Sequence, residues 1–108
     1  MHAQPEALAP YALVVDDDGL IRMDVVDILT EAGFRTFEAE TGDKAITLLE
    51  REQKCIVLLF SDVQMPEVDG YEFIQWLRRE APEQNRYVPV ILVTGHTRIS
   101  QVFKNRDA

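Results

Sequence analysis

The chain has 108 residues, 46% of them hydrophobic and 28% charged, with nineteen acidic against eleven basic side chains for a formal charge of −8. That length suits one packed domain and is too short for two, and the balance of apolar and charged residues excludes a disordered or fibrous chain. The acidity argues against binding nucleic acid or an anionic membrane surface, because the one basic pair, Arg78-Arg79, falls where a helix C-terminus favours positive charge.

Residues Met1 to Pro10 contain two prolines but neither a long apolar run nor a basic flank, so they read as a flexible lead-in rather than a signal peptide or membrane span. Tyr11-Ala12-Leu13-Val14-Val15 predicts a strand buried on both faces that stops at Asp16-Asp17-Asp18. Between Gly19 and Ala32, the residues Ile21, Val25, Ile28, Leu29 and Ala32 recur at helical spacing, and Gly33 is placed to end the helix. A short second strand is expected over Arg35 to Ala39. Thr41 then caps a second helix with Ala45, Leu48 and Leu49 inward and Glu50, Arg51 and Glu52 outward.

Cys55, the only cysteine, cannot form an internal disulfide and is expected as a buried or half-buried filler, compatible with a reducing compartment. Ile56-Val57-Leu58-Leu59-Phe60 is a second buried run, and it leads directly to Asp62. Asp69-Gly70-Tyr71-Glu72 has capping-box spacing, and Phe73, Ile74 and Leu77 continue as the apolar stripe of a third helix, with Trp76 packed at its flank. Val88 to Val93, with Pro89 near its start, predicts a fourth strand, and Thr97 to Arg106 a fourth helix.

Strands alternating with helices imply a parallel sheet with right-handed crossovers, whose strands all end at one edge. Asp16, Asp17, Asp62 and Thr94 then converge in the crevice where open α/β sheets bind ligands. Three carboxylates brought together repel one another unless a cation neutralises them, and a hard divalent ion suits an all-oxygen site. Mg²⁺ takes about six oxygen ligands and usually keeps waters, leaving room for a phosphoryl oxygen beside carboxylates and a backbone carbonyl. An aspartate there can attack phosphorus to give an acyl phosphate, Thr94 can donate its hydroxyl to the transferred group, and Gly95 keeps that position open. One carboxylate after a strand more simply caps the next helix or fills a turn, as Asp69 does; the convergence of several outweighs that reading. His2 and His96 have no paired histidine near them in sequence and suggest no metal site of their own.

Val14-Val15-Asp16-Asp17, the segment Asp62-Val63-Gln64-Met65-Pro66-Glu67-Val68-Asp69-Gly70, and Val93-Thr94-Gly95 closely resemble the response-regulator receiver domains of two-component signalling, in order and spacing as well as identity. The resemblance runs from Tyr11 to the C-terminus and implies a receiver domain over 11–108. The implied fold is flavodoxin-like, a three-layer α/β arrangement with a parallel sheet of order 2-1-3-4, truncated after the fourth helix. It makes Asp62 the phosphoacceptor and Asp16 and Asp17 the acidic pair that holds Mg²⁺, with Asp17 and Asp62 as direct ligands. Gln64 would lend its backbone carbonyl, Thr94 the switch hydroxyl, and Pro66 and Gly70 the shape of the loop; Asp18 matches no ligand position and is expected to face solvent.

The same resemblance implies a signalling switch in a phosphorelay rather than a metabolic enzyme. It would be cytoplasmic, take its phosphoryl group from a histidine kinase or histidine phosphotransfer protein, and lose it by self-dephosphorylation. The family's fifth strand with its lysine and aromatic switch residue, and its last helix, have no counterpart before Ala108, since Lys44, Lys54 and Lys104 lie in or beside predicted helices. A longer parent sequence is expected to carry them. The fourth strand would otherwise be an open edge, through which dimerisation is a secondary expectation.

Two other readings use the same residues. Asp16-Asp17-Asp18-Gly19-Leu20 resembles the opening of haloacid-dehalogenase-type phosphatases, with Asp16 as nucleophile and Asp18 as general acid, although Leu20 replaces the usual Thr or Val and Asp62 would have no role. A degenerate receiver that binds partners without phosphorylation is the other, and intact Asp16, Asp17, Asp62 and Thr94 speak against it.

Overall fold

The structure, a computed structural model, describes residues 9–52, 54–65 and 67–93. Four parallel strands form one sheet: β1 (Tyr11–Val15), β2 (Arg35–Ala39), β3 (Ile56–Asp62) and β4 (Val90–Val93), in the order β2-β1-β3-β4. Three helices connect them, α1 (Gly19–Glu31), α2 (Gly42–Arg51) and α3 (Gly70–Glu80), with a 3₁₀ turn (Glu83–Asn85) before β4. Together they make the three-layer, flavodoxin-like α/β arrangement with strand order 2-1-3-4 that the sequence implied. None of these helices is long and apolar enough to cross a membrane.

β1 is covered on both faces, and Ala12, Leu13, Val14 and Val15 are each 0% exposed, which is why it reads as an unbroken apolar run instead of an alternating one. Its odd-numbered residues Leu13 and Val15 join Leu59, Ala45 and Leu49 of α2, and Phe73 and Leu77 of α3 in one cluster. Ala12 and Val14 pack on the opposite side against Val25 and Leu29 of α1. At the open start of the sheet, Tyr11 stacks on Phe37 of β2 at 4.6 Å between ring centroids, with the Arg35 guanidinium 4.0 Å above the Tyr11 ring.

The helix ends follow their local chemistry. Asp18 caps α1, its carboxylate accepting from the backbone N–H groups of Leu20 and Ile21 at 2.9 and 3.2 Å. Gly33, at φ 97°, turns the chain out of α1 in a conformation open to glycine. Thr41 caps α2 through Lys44 N–H, and Asp69 caps α3 through Glu72 N–H. Lys44 also pairs with Glu40, and that hydrogen bond, with the charge of Lys44, holds the Glu40 carboxyl below its ordinary pKa.

Several sequence expectations are corrected. β3 extends through Asp62, because Ser61 and Asp62 continue to pair with β4. β4 begins at Val90 rather than Val88: Pro89 has no N–H to donate and contributes only its carbonyl, which accepts from Leu59 N–H. In α1 only Val25 and Leu29 are buried, whereas Ile28 is 53% exposed and Ala32 is exposed, so the stripe expected to face inward is narrower than its spacing suggested. Cys55 is exposed, not a core filler, since it precedes the point where β3 enters the sheet. Asp18 is half-buried as a cap instead of facing solvent. Trp76 does pack at the flank of the stripe, stacked on Phe73 with centroids 6.3 Å apart. The lead-in over 1–8, Pro66, and everything from Thr94 onward, including the helix expected over Thr97 to Arg106, lie outside the described residues.

Asn85 is a buried polar residue that periodicity does not reveal. Its side-chain carbonyl accepts from Ile56 N–H at 2.6 Å and its amide donates to Lys54 O at 3.1 Å, so the 3₁₀ turn supplies the backbone partners that the start of β3 lacks. Replacing Asn85 with Leu strands both groups. The expected loss is about 3 kcal/mol, seen as a lower urea midpoint with an unchanged slope.

Candidate functional site

The site follows from strand register. β1 pairs with β3 so that Val15 lies opposite Ser61, and the next residues, Asp16 just past the end of β1 and Asp62 as the last residue of β3, follow side by side at the carboxyl edge of the sheet. Asp16 is also tied to β2, its N–H donating to Ala39 O at 3.1 Å. Both carboxyl-bearing residues are buried, Asp16 at 4% and Asp62 at 6% exposure, while Asp17 is exposed at the mouth. Each of the three offers a carboxylate oxygen, and those oxygens all lie within 4.8 Å of one another.

The two buried carboxylates are held in the same manner. Asp16 Oδ1 accepts from Asp18 N–H at 2.9 Å, and Asp62 Oδ1 accepts from Gln64 N–H at 3.1 Å. In each case an aspartate at a strand end binds the backbone two residues on and so fixes both its own direction and the start of the loop. The loop after β3 is tight: Glu67 adopts φ 66°, and Gly70 N–H donates to Val63 O at 2.9 Å, seating the first turn of α3 on the end of β3. A Cβ on Gly70 would lie 2.6 Å from Asp62 O and 2.8 Å from Val63 Cα, so only glycine allows this approach.

Of the residues singled out from sequence, the structure brings together Asp16, Asp17 and Asp62, with Gln64 next to Asp62 in the loop. Thr94 and Pro66 lie outside the described residues; Val93, which precedes Thr94, accepts at its carbonyl from Val63 N–H at 3.0 Å. An all-carboxylate donor set of this kind fits a hard divalent cation such as Mg²⁺.

Arg22 escaped the sequence reading. From α1 its Nη1 donates to Asp16 O at 2.8 Å and its Nε to Glu38 Oε1 of β2 at 3.1 Å. The available signal was a cation near a helix N-terminus, where the dipole disfavours it, directly after an acidic loop.

Comparison with known proteins bears on the same residues. The family model described as the response regulator receiver domain matches residues 12–108. The probable transcriptional regulator ycf27 of Porphyra purpurea is 38% identical over 83 residues, which cover 77% of this chain and 31% of that protein. The polar-differentiation response regulator DivK of Brucella ovis is 32% identical over 83 residues, 77% of this chain and 64% of that one. The matched part of the chain thus spans 31% and 64% of these curated relatives' length, less than two thirds of either.

Among solved structures, the signal receiver domain of a signal transduction histidine kinase from Syntrophus aciditrophicus superposes with a TM-score of 0.72 at 32% identity, over 92% of this chain and 72% of that one. The receiver domain of the histidine kinase CKI1 from Arabidopsis thaliana, solved with Mg²⁺ and BeF₃⁻, gives 0.69 at 25% identity, over 91% and 74%. A sheet of order 2-1-3-4, an acidic cluster at its carboxyl edge and a family match over nearly the whole chain agree: the chain belongs to the response regulator receiver domains of two-component signalling.

Proposed function

We propose that the domain is a phosphoryl-accepting switch in which Asp62 receives the group from a phosphohistidine of a histidine kinase or phosphotransfer protein. The observation that carries this is the convergence of the Asp16, Asp17 and Asp62 carboxylates at adjacent strand ends. Asp62 is the acceptor in this reading because it opens the β3–α3 loop, with one oxygen already oriented by Gln64 N–H. A carboxylate oxygen of Asp62 attacks phosphorus, the new O–P bond forms as the P–N bond breaks, and the electron pair leaves with the imidazole nitrogen, which takes up a proton.

Asp16, Asp17 and Asp62, with the backbone carbonyl of Gln64, are the proposed holders of Mg²⁺. When bound, the ion would offset the repulsion among the carboxylates and the negative charge of the incoming phosphoryl group. Thr94, by its sequence position after β4, is the proposed donor to a phosphoryl oxygen. The cytoplasm is the proposed location.

The test is incubation with Mg²⁺ and a small phosphodonor, followed by mass spectrometry to place any acid-stable, base-labile phosphate. A single label on Asp62 is expected. Label on Asp16 would point to phosphatase-type chemistry, and no label despite Mg²⁺ binding would leave a binding module only.

A further inference from the structure

We infer that Arg22 is a positioning residue for the cation site, acting through the peptide that joins Asp16 to Asp17; the inference rests on the Mg²⁺ site proposed above. The carbonyl oxygen that Arg22 Nη1 holds at 2.8 Å belongs to the Asp16–Asp17 peptide. Fixing that carbonyl fixes the plane of the peptide, and with it the direction in which Asp17 leaves the backbone.

This matters for Asp17 more than for its neighbours. The Asp16 side chain is anchored by Asp18 N–H, and the Asp62 side chain by Gln64 N–H. Asp17 is the exposed member of the cluster, so its aim depends chiefly on its backbone. A loose peptide at that point would have to be ordered each time a cation bound, and the lost conformational freedom would subtract from affinity.

Glu38 makes the arrangement compatible with a cation. Its carboxylate lies 3.1 Å from Arg22 Nε, so the guanidinium is paired with an opposite charge and does not add an unbalanced positive charge beside the site. The pair also gives the brace a firm base. Arg22 rises from α1, Glu38 from β2, and Asp16 from the end of β1, so three separate elements meet at one guanidinium. Arginine suits the role because its planar fork can hold two acceptors at once, which a lysine ammonium on a flexible stem does less rigidly.

The experiment is calorimetric titration of Mg²⁺ into the full chain and its variants, paired with urea unfolding of each. Arg22→Ala is expected to raise the Mg²⁺ Kd about tenfold, the scale on which loss of a ligand's supporting contact is felt. Arg22→Lys should recover part of that loss, Glu38→Ala should weaken binding less than Arg22→Ala does, and the double variant should bind no worse than Arg22→Ala alone. Val25→Ala truncates a buried apolar contact of α1 that makes no hydrogen bond to the Asp16–Asp17 peptide and should lower stability without moving the Kd, which separates positioning from general destabilisation.

Unchanged Mg²⁺ affinity in folded Arg22→Ala overturns the inference, as does an equal loss in Val25→Ala. Should Arg22→Ala not fold, wild-type affinity in both Arg22→Lys and Glu38→Ala overturns it. Absence of Mg²⁺ binding by the wild type would instead defeat the site reading itself, and this inference with it.

Discussion

Asp17→Asn is expected to leave the fold intact and to remove most of the phosphoryl chemistry. The side chain is exposed and belongs to a cluster of like charges, so neutralising it should shift stability by less than about 0.5 kcal/mol. The amide keeps the size of the carboxylate and one oxygen but no charge, and a hard cation depends on that charge. If the ion supplies about 3 kcal/mol of charge stabilisation during transfer, labelling of Asp62 from a small phosphodonor should slow by about a hundredfold. A chelator added to the wild type should reproduce the loss, and excess Mg²⁺ should restore the wild type fully and the variant only in part. Labelling of Asp17→Asn at the wild-type rate would place the chemistry outside the acidic cluster.

Gly70→Ala should produce the second large effect, by a steric route. The added methyl would meet Asp62 O at 2.6 Å, Val63 Cα at 2.8 Å and Asp62 C at 3.2 Å, all of them backbone atoms with no rotamer to yield. The first turn of α3 must therefore lift off the end of β3, straining or breaking the Gly70 N–H to Val63 O bond. Overpacking of this kind costs about 3 kcal/mol, offset only slightly by the better helix propensity of alanine. In a domain of this size the loss corresponds to a fall in Tm of roughly 10 °C or more. Because the clash is with Asp62 itself, labelling at that residue should fall even at temperatures where the variant is folded. A variant with wild-type Tm and labelling would mean that the loop accommodates the methyl by another path.

The parts of the fold legible in the sequence are those where burial is symmetrical or capping chemistry is local. β1 is covered on both sides and appears as an apolar run, whereas β3, read as equally buried, leaves Val57 42% exposed and Leu58 and Phe60 only partly buried; Thr41 and Asp69 stand where helix caps belong. Less legible were features set by tertiary contact. The Ile28 and Ala32 positions of α1 match helical periodicity yet stay exposed, because spacing gives the direction of a stripe but not the width of the surface it meets. Asn85 looks like a turn residue until β3 is seen to need its amide. The acidic trio was legible because parallel topology sends every strand end to one edge, whereas the Arg22 brace joins residues 16 apart and depends on how α1 lies across β2.

The pairing of Val15 with Ser61 also ties ligand binding to the folding equilibrium. A one-residue slip between β1 and β3 would send alternate side chains to the wrong face and separate Asp16 from Asp62. Any cation that needs both carboxylates then binds only the correctly registered sheet. By mass action it stabilises that sheet by about 2.7 kcal/mol at a hundredfold excess over its Kd. The acidic edge is thus a cost to the empty protein and, once filled, a selector of strand alignment.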